Sequence, residues 1–375
     1  PTHITPGPPP RADNLQAAIE QWGRTVADAP AGWPEDAMSR VLLRAAPSTA
    51  VRLDPMRDAD DGARTVVASL TSMDTGYLAV QGPPGTGKTY LAAHVIKELV
   101  ERHHWAIGVT AQSHKVIENV LEAVVLDAGV ESHLVGKKPD RDGSTGNYVD
   151  LPDNGFQGFA GRNQATGYVL GGTAWDMTNR NRVGVGQLDL LVIDEAGQFS
   201  LANTIATALS AKRVLFLGDP QQLPQVSQGI HPAPVDGSAL GHIIGGHAVL
   251  PDEYGYFLAE SRRMDESVTR PVSRLAYDGQ LRSHPSTLGR RLDGIEPGLH
   301  AVPVPHTGNA TSSPEEAAAV IDIVTRHLGL LWTPKANAPA RPMTEEDVIV
   351  VTPYNAQVEL LRQSLDAAGY SNVPV

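Results

Sequence analysis

The octapeptide Gly82-Pro83-Pro84-Gly85-Thr86-Gly87-Lys88-Thr89 constrains the fold more than any other feature of the chain. It has the spacing G-x-x-x-x-G-K-[ST], follows an apolar run at 77–81 and precedes an amphipathic run of helical period. A glycine-rich turn between strand and helix lets successive backbone N–H groups converge on phosphate oxygens, and the helix N-terminus adds partial positive charge. Lys88 is then placed to neutralise β and γ phosphates, and the Thr89 hydroxyl to bind magnesium. The run Gly82 to Thr89, with Tyr90 after it, is the candidate nucleotide-binding segment. A structural Gly-rich turn is the alternative reading.

From Tyr77 onward short apolar runs alternate with longer amphipathic ones, the pattern of an α/β fold with a parallel sheet wrapped by helices. Strands are expected near 77–81, 105–110, 168–173, 188–193 and 213–217. The stretch 130–164 breaks this rhythm with Gly, Asp, Asn and Pro, and reads as an insertion, about 130–165, standing out from the sheet. Its Asp140-Arg141-Asp142-Gly143 opens like a calcium loop, but the later ligand spacing fails. A loop-rich stretch, 225–255, separates a second α/β unit. There, Ser313-Pro314-Glu315-Glu316 reads as N-cap, first-turn Pro and capping-box Glu of a helix to about 328. Residues 347–352 read as a buried strand and 355–368 as a helix. Residues 1–10 hold five prolines and read as a linker.

Leu190-Leu191-Val192-Ile193-Asp194-Glu195 is an apolar strand ending in two carboxylates, where ligands sit in parallel sheets. Asp194 would hold magnesium through water, and Glu195 would orient and deprotonate an attacking water. An acidic pair alone is more often a helix N-cap. About a hundred residues after a phosphate loop, it points to nucleotide hydrolysis.

Asp194-Glu195-Ala196-Gly197-Gln198 and Leu217-Gly218-Asp219-Pro220-Gln221-Gln222-Leu223-Pro224 together resemble motifs II and III of superfamily-one helicases. The resemblance extends to Val109-Thr110-Ala111-Gln112-Ser113-His114-Lys115, Gly172-Thr173, Glu260-Ser261-Arg262-Arg263-Met264, Tyr277-Asp278-Gly279-Gln280-Leu281 and Val350-Val351-Thr352-Pro353-Tyr354-Asn355-Ala356-Gln357. Within that superfamily the wording is similar to the 5′ to 3′ branch of nonsense-mediated-decay helicases and Okazaki-fragment nuclease-helicases. Bacterial proteins that fuse a RecB-type nuclease to such a motor are closer still. The resemblance implies two RecA-like domains that bind ATP and magnesium. Residues 46–250 form the first, residues 251–375 begin a second that is incomplete at Val375, and 1–45 are a linker or the tail of an upstream domain. It makes Gln222 and Arg263 the γ-phosphate sensors. It also implies a single strand, DNA rather than RNA, in contact with Thr110, Gln112, Ser113, Thr173 and Tyr354.

Two departures bear on this. The family places Gln-Tyr-Arg-Met where this chain has Ser261-Arg262-Arg263-Met264, so Arg262, whose guanidinium can stack on a base, replaces the aromatic on adenine. Motifs V and VI are expected beyond Val375. A formal net charge of −12 requires any polyanion site to be local; 262–291, with seven Arg against three acids, is the most basic long segment. The chain has no cysteine, which excludes disulfides, thiol chemistry and zinc ribbons. It contains no apolar run of about 18 residues, so no membrane partner is expected and the cytoplasm is the default location. The leading expectation is an ATP-dependent helicase or translocase motor in DNA repair or processing, with a RecB-type nuclease domain as a candidate companion on the same polypeptide. A ring-forming remodelling ATPase and an ATP-gated regulatory module of a nuclease are the alternatives.

Overall fold

A computed structural model describes residues 12–375 apart from 31, 54–55, 57–61, 141–145, 225–230 and 336–337. The Pro-rich start and most of the candidate calcium loop lie outside the described residues. The chain divides into two compact units, residues 1–261 with 273–281 and residues 262–272 with 282–375.

Unit 1 is built on eight parallel strands: β1 (Gly76–Gln81), β2 (Ala106–Thr110), β3 (Val135–Lys137), β4 (Val149–Asp150), β5 (Tyr168–Gly171), β6 (Leu188–Ile193), β7 (Ala211–Gly218) and β8 (Gly255–Phe257), in the order β4-β3-β5-β2-β6-β7-β1-β8. Every residue of β1 is buried, because helices cover both faces of the sheet. One face carries α1 (Asp13–Ala27), α2 (Ala37–Leu42), α6 (Phe156–Asn163), α7 (Ala174–Thr178), α8 (Leu201–Ala208) and α9 (Ala239–Ile244). The other carries α3 (Gly62–Thr71), α4 (Lys88–His103) and α5 (His114–Glu122). α10 (Glu266–Ala276) follows this sheet in the chain.

Two readings of the sequence change here. The stretch 130–164 is part of the sheet: β3 pairs with β5 in parallel register and β4 extends the edge. Its loop-like composition conceals Tyr148, Leu151, Phe156 and Phe159, all at most 8% exposed, and Lys137 is buried against Glu118 at 3.1 Å. Residues 12–45 likewise belong to unit 1, since Leu15, Ala18, Trp22 and Met38 enter its core.

Unit 2 holds α11 (Pro314–His327) and α12 (Asn355–Ala367), which pack through Val324 and Leu365 with Val373. Ser313 caps α11 by accepting from the Glu316 N–H at 3.2 Å. The other half of the expected capping box is taken by Gln357, whose Oε1 accepts from the Ser313 N–H at 2.6 Å. The strand expected at 347–352 is absent. Val348 and Val350 pack on the α11–α12 core, whereas Ile349 and Val351 are 74% and 86% exposed. Continuous apolarity predicted burial of both faces, and only one is covered among the described residues.

Candidate active site

β6, β7 and β1 are neighbours and parallel, so their C-terminal ends present Asp194, Asp219 and the loop Gly82–Thr89 side by side. Backbone bonds tie the three together: the Gly82 N–H donates to Gly218 O at 2.9 Å, the Ala196 N–H to Leu217 O at 2.8 Å and the Asp194 N–H to Thr110 O at 3.0 Å. The approach is close enough to require glycine. A Cβ on Gly197 would lie 2.3 Å from the Asp219 carbonyl oxygen, and one on Gly218 2.6 Å from the Ala196 nitrogen.

Gly85 and Gly87 take left-handed backbone, φ 76° and 86°, which opens the phosphate loop. Gly87 is the N-cap of α4, so the loop ends on a helix N-terminus. Thr86 Oγ1 donates to Pro83 O at 2.8 Å and Ser261 Oγ to Pro84 O at 2.8 Å, fixing the loop from inside and outside. Lys88 Nζ folds back to Gly82 O at 2.8 Å. Thr89 is half-buried beside it, and Tyr90 is exposed with its ring 3.9 Å from that of His94.

Asp194 is 3% exposed. Burial, and then the adjacent Glu195 carboxylate, push its carboxyl up to about 6, partly offset by the Glu195 N–H and Lys88. That N–H donates to Asp194 Oδ1 at 2.9 Å. Glu195 itself has φ 51°, a left-handed conformation that costs a non-glycine residue on the order of 1 kcal/mol and that clusters at functional sites. Among the described residues no group of three or more His, Cys, Asp or Glu side chains could hold a metal alone. Two carboxylates and the Thr89 hydroxyl beside a phosphate loop suit a magnesium ion that shares its ligands with a nucleotide.

Asp219, 2% exposed, receives four neutral donors. Tyr277 Oη (2.6 Å) and Gln222 Nε2 (3.2 Å) reach Oδ2, while the Gln221 N–H (3.2 Å) and Gln81 Nε2 (3.4 Å) reach Oδ1. Burial and the bond to Asp219 push the Tyr277 hydroxyl far above the usual phenol range. The sequence places Asp219 and Tyr277 in two separate motifs and gives no sign that they meet; only the fold joins them with Gln81.

Of the residues expected on a nucleic-acid strand, Gln112 and Ser113 are exposed at the end of β2. Ser113 also caps α5 by accepting from the Val116 N–H at 3.3 Å. Thr110 differs from expectation: it points inward and is fully buried, its Oγ1 without a partner. Thr173 spends its hydroxyl on Asp176 Oδ2, at 2.8 Å, in the capping box of α7. The exposed group on that turn is Trp175, 42% accessible, which sequence reasoning missed. Arg262, Arg263 and Tyr354 belong to unit 2. The Arg290 guanidinium donates to the carbonyls of Arg262, at 3.1 Å, and Arg263, and Tyr354, half exposed, is the N-cap of α12.

Asp194→Asn should stabilise the nucleotide-free, metal-free protein. A carboxyl held at about 6 against an ordinary 3.8 contributes stability below pH 4 that is lost as pH rises through 6, about 3 kcal/mol in all. Thermal unfolding with chelator at pH 7.5 should therefore show the variant melting on the order of 5 °C higher, with the difference gone near pH 4. An unchanged or lower melting point at pH 7.5 would contradict the buried-charge account.

A parallel sheet with a phosphate loop, an Asp-Glu strand end and a glutamine turn on adjacent strands defines a P-loop nucleotide-binding fold. AAA-domain families match residues 59–235 and 246–375, which implies a nucleotide. The DNA-binding protein SMUBP-2 is 28% identical over 47% of this chain in Rattus norvegicus and 24% identical over 88% of it in Mesocricetus auratus. The matches cover 18% and 40% of those proteins, so the chain spans less than half of each relative. The DNA replication ATP-dependent helicase/nuclease DNA2 of Saccharomyces cerevisiae is 24% identical over 40% of this chain and 10% of its own length. An arterivirus nonstructural protein 10 helicase solved with DNA overlaps 60% of the chain and 44% of its own at 16% identity, with a TM-score of 0.37. Across the two matched segments the chain is similar to superfamily-one helicases.

Proposed function

We propose that this chain is the ATP-hydrolysing motor of a helicase or translocase that moves 5′ to 3′ along single-stranded nucleic acid, DNA rather than RNA. The observation that carries the reading is the alignment of phosphate loop, Asp194-Glu195 and Asp219-Gln222 on three adjacent strand ends. In this reading Lys88 leaves Gly82 O for the β and γ phosphates, and the loop N–H groups hold the remaining phosphate oxygens. Thr89 and Asp194 hold a magnesium ion, which neutralises phosphate charge when bound. Glu195 orients the attacking water and accepts its proton, and Gln222 reports the γ-phosphate. Arg263 is proposed as a second sensor, and Arg262 as the group stacked on the base.

The strand is proposed to cross the exposed residues at the ends of β2 and β5, Gln112, Ser113 and Trp175, with Tyr354 contributing from unit 2. Backbone contacts from Gln112 and Ser113 give grip without sequence preference, and a tryptophan face accepts any base. The net charge of −12 leaves only local cation patches for phosphate, so affinity falls steeply with salt. No helix among the described residues is long and apolar enough to cross a membrane. We extend the reading to a cytoplasmic role in DNA repair or processing, and to a nuclease domain on the same polypeptide, by likeness to the helicase/nuclease DNA2.

The test is ATP turnover by the full-length protein with and without an oligo-dT strand. Stimulation by the strand is expected, and ATP-dependent strand binding without turnover would favour the ATP-gated regulatory module instead. Trp175→Ala should weaken oligo-dT binding about 10-fold to 100-fold, the worth of one stacked base. Anisotropy of a labelled strand measures it, and an unchanged affinity removes Trp175 from the interface.

A further inference from the structure

Asp219 and Gln222 lie in the motif just described, but the tyrosine that holds Asp219 comes from elsewhere in the chain. Residues 273–281 belong to unit 1 although the residues on either side of them belong to unit 2. Tyr277 is buried in that stretch, 3% exposed like Ser273 and Leu281, with its ring centroid 6.1 Å from that of Phe257. Its backbone is fixed by a tight reversal. The Tyr277 and Gly279 N–H groups both donate to Ser273 O, at 2.9 and 3.0 Å, and Asp278 and Gly279 take φ values of 50° and 76°.

We propose that Tyr277 is a positioning residue for hydrolysis: its hydroxyl holds the Asp219 carboxylate so that Gln222 can leave it for the γ-phosphate and return. The inference rests on the ATPase reading above and deepens it. The geometry that supports it is the sharing of one oxygen. Tyr277 Oη, at 2.6 Å, and Gln222 Nε2, at 3.2 Å, both donate to Asp219 Oδ2. The tyrosine bond is the short one, and a buried carboxylate oxygen must keep a donor when another departs.

With Tyr277 in place, Gln222 can swing to phosphate while Oδ2 stays satisfied. With the hydroxyl removed, Gln222 becomes the sole donor among these contacts to a buried anionic oxygen, and its release is penalised. The packing of the ring and the turn that carries it do not depend on the hydroxyl, so Tyr277→Phe isolates the effect.

The experiment is a double-mutant cycle between Tyr277→Phe and Gln222→Ala in the full-length protein, read as steady-state ATP turnover, with the melting temperature of each variant. Tyr277→Phe should lower kcat about 10-fold while KM for ATP changes less than about 3-fold, because the lost interaction matters after binding. In the Gln222→Ala background the same substitution should change kcat by less than about 2-fold. Equal losses in both backgrounds, or a loss confined to KM, would overturn the inference and leave Tyr277 a structural residue. Should Tyr277→Phe fail to fold, Asp219→Asn replaces it in the cycle, and the same non-additivity with Gln222→Ala is required. A wild-type protein without ATP turnover overturns the ATPase reading and this inference with it, whereas a Gln222→Ala variant with full turnover leaves the ATPase reading standing and overturns this inference alone.

Discussion

Glu195→Gln should lower ATP turnover about 10²-fold to 10⁴-fold while nucleotide still binds, the range over which a positioned general base accelerates proton transfer. The substitution is nearly isosteric, so it should spare the geometry that makes the residue special. Glu195 has φ 51° and is held there by local bonds: its N–H donates to Asp194 Oδ1 at 2.9 Å, and its carbonyl accepts from the Gln198 N–H at 2.8 Å. An amide keeps that backbone and removes only the ability to take a proton. Single-turnover hydrolysis and filter-bound ATP, measured together, check both halves. Turnover within a few-fold of wild type would remove Glu195 from the role of base.

Lys88→Ala should abolish measurable nucleotide binding, a loss of more than about 10²-fold, because a buried phosphate would keep its charge with no cation in the loop. The fold should survive. Lys88 is half-buried, its Nζ bonds only the Gly82 carbonyl among the described residues, and Gly87 rather than Lys88 caps α4. Titration with a fluorescent ATP analogue, beside a circular dichroism melt, separates loss of binding from loss of structure. Full binding in a folded Lys88→Ala protein would end the phosphate-loop assignment.

The strands that position this site were legible because each contains a run of four apolar residues, the pattern imposed by helices on both faces. The phosphate loop was legible for a different reason: its residues are dictated by phosphate chemistry and not by packing. What escaped had weak or misleading local signals. β3 and β4 are three and two residues long within a stretch of loop-forming residues, so neither period nor propensity marks them. At 347–352 the apolar run overstated the burial of Ile349 and Val351. Thr110 stands at a strand end, where sequence gives the position but not which way the side chain faces. Tyr277 reaches Asp219 across 58 positions of the chain, a distance no local pattern records.

The pairing of β1 also sets a schedule for synthesis. β1 carries the phosphate loop, yet its two neighbours arrive late: residues 76–81 wait for 213–218 in β7 and 255–257 in β8. At ~10 residues per second a ribosome leaves that apolar segment without its sheet partners for on the order of ten seconds. α3 and α4 cover its flank sooner, since they come from the chain immediately around it. The nascent protein therefore owns its nucleotide-binding sequence long before it owns a nucleotide-binding site, and chaperone demand should peak in that interval.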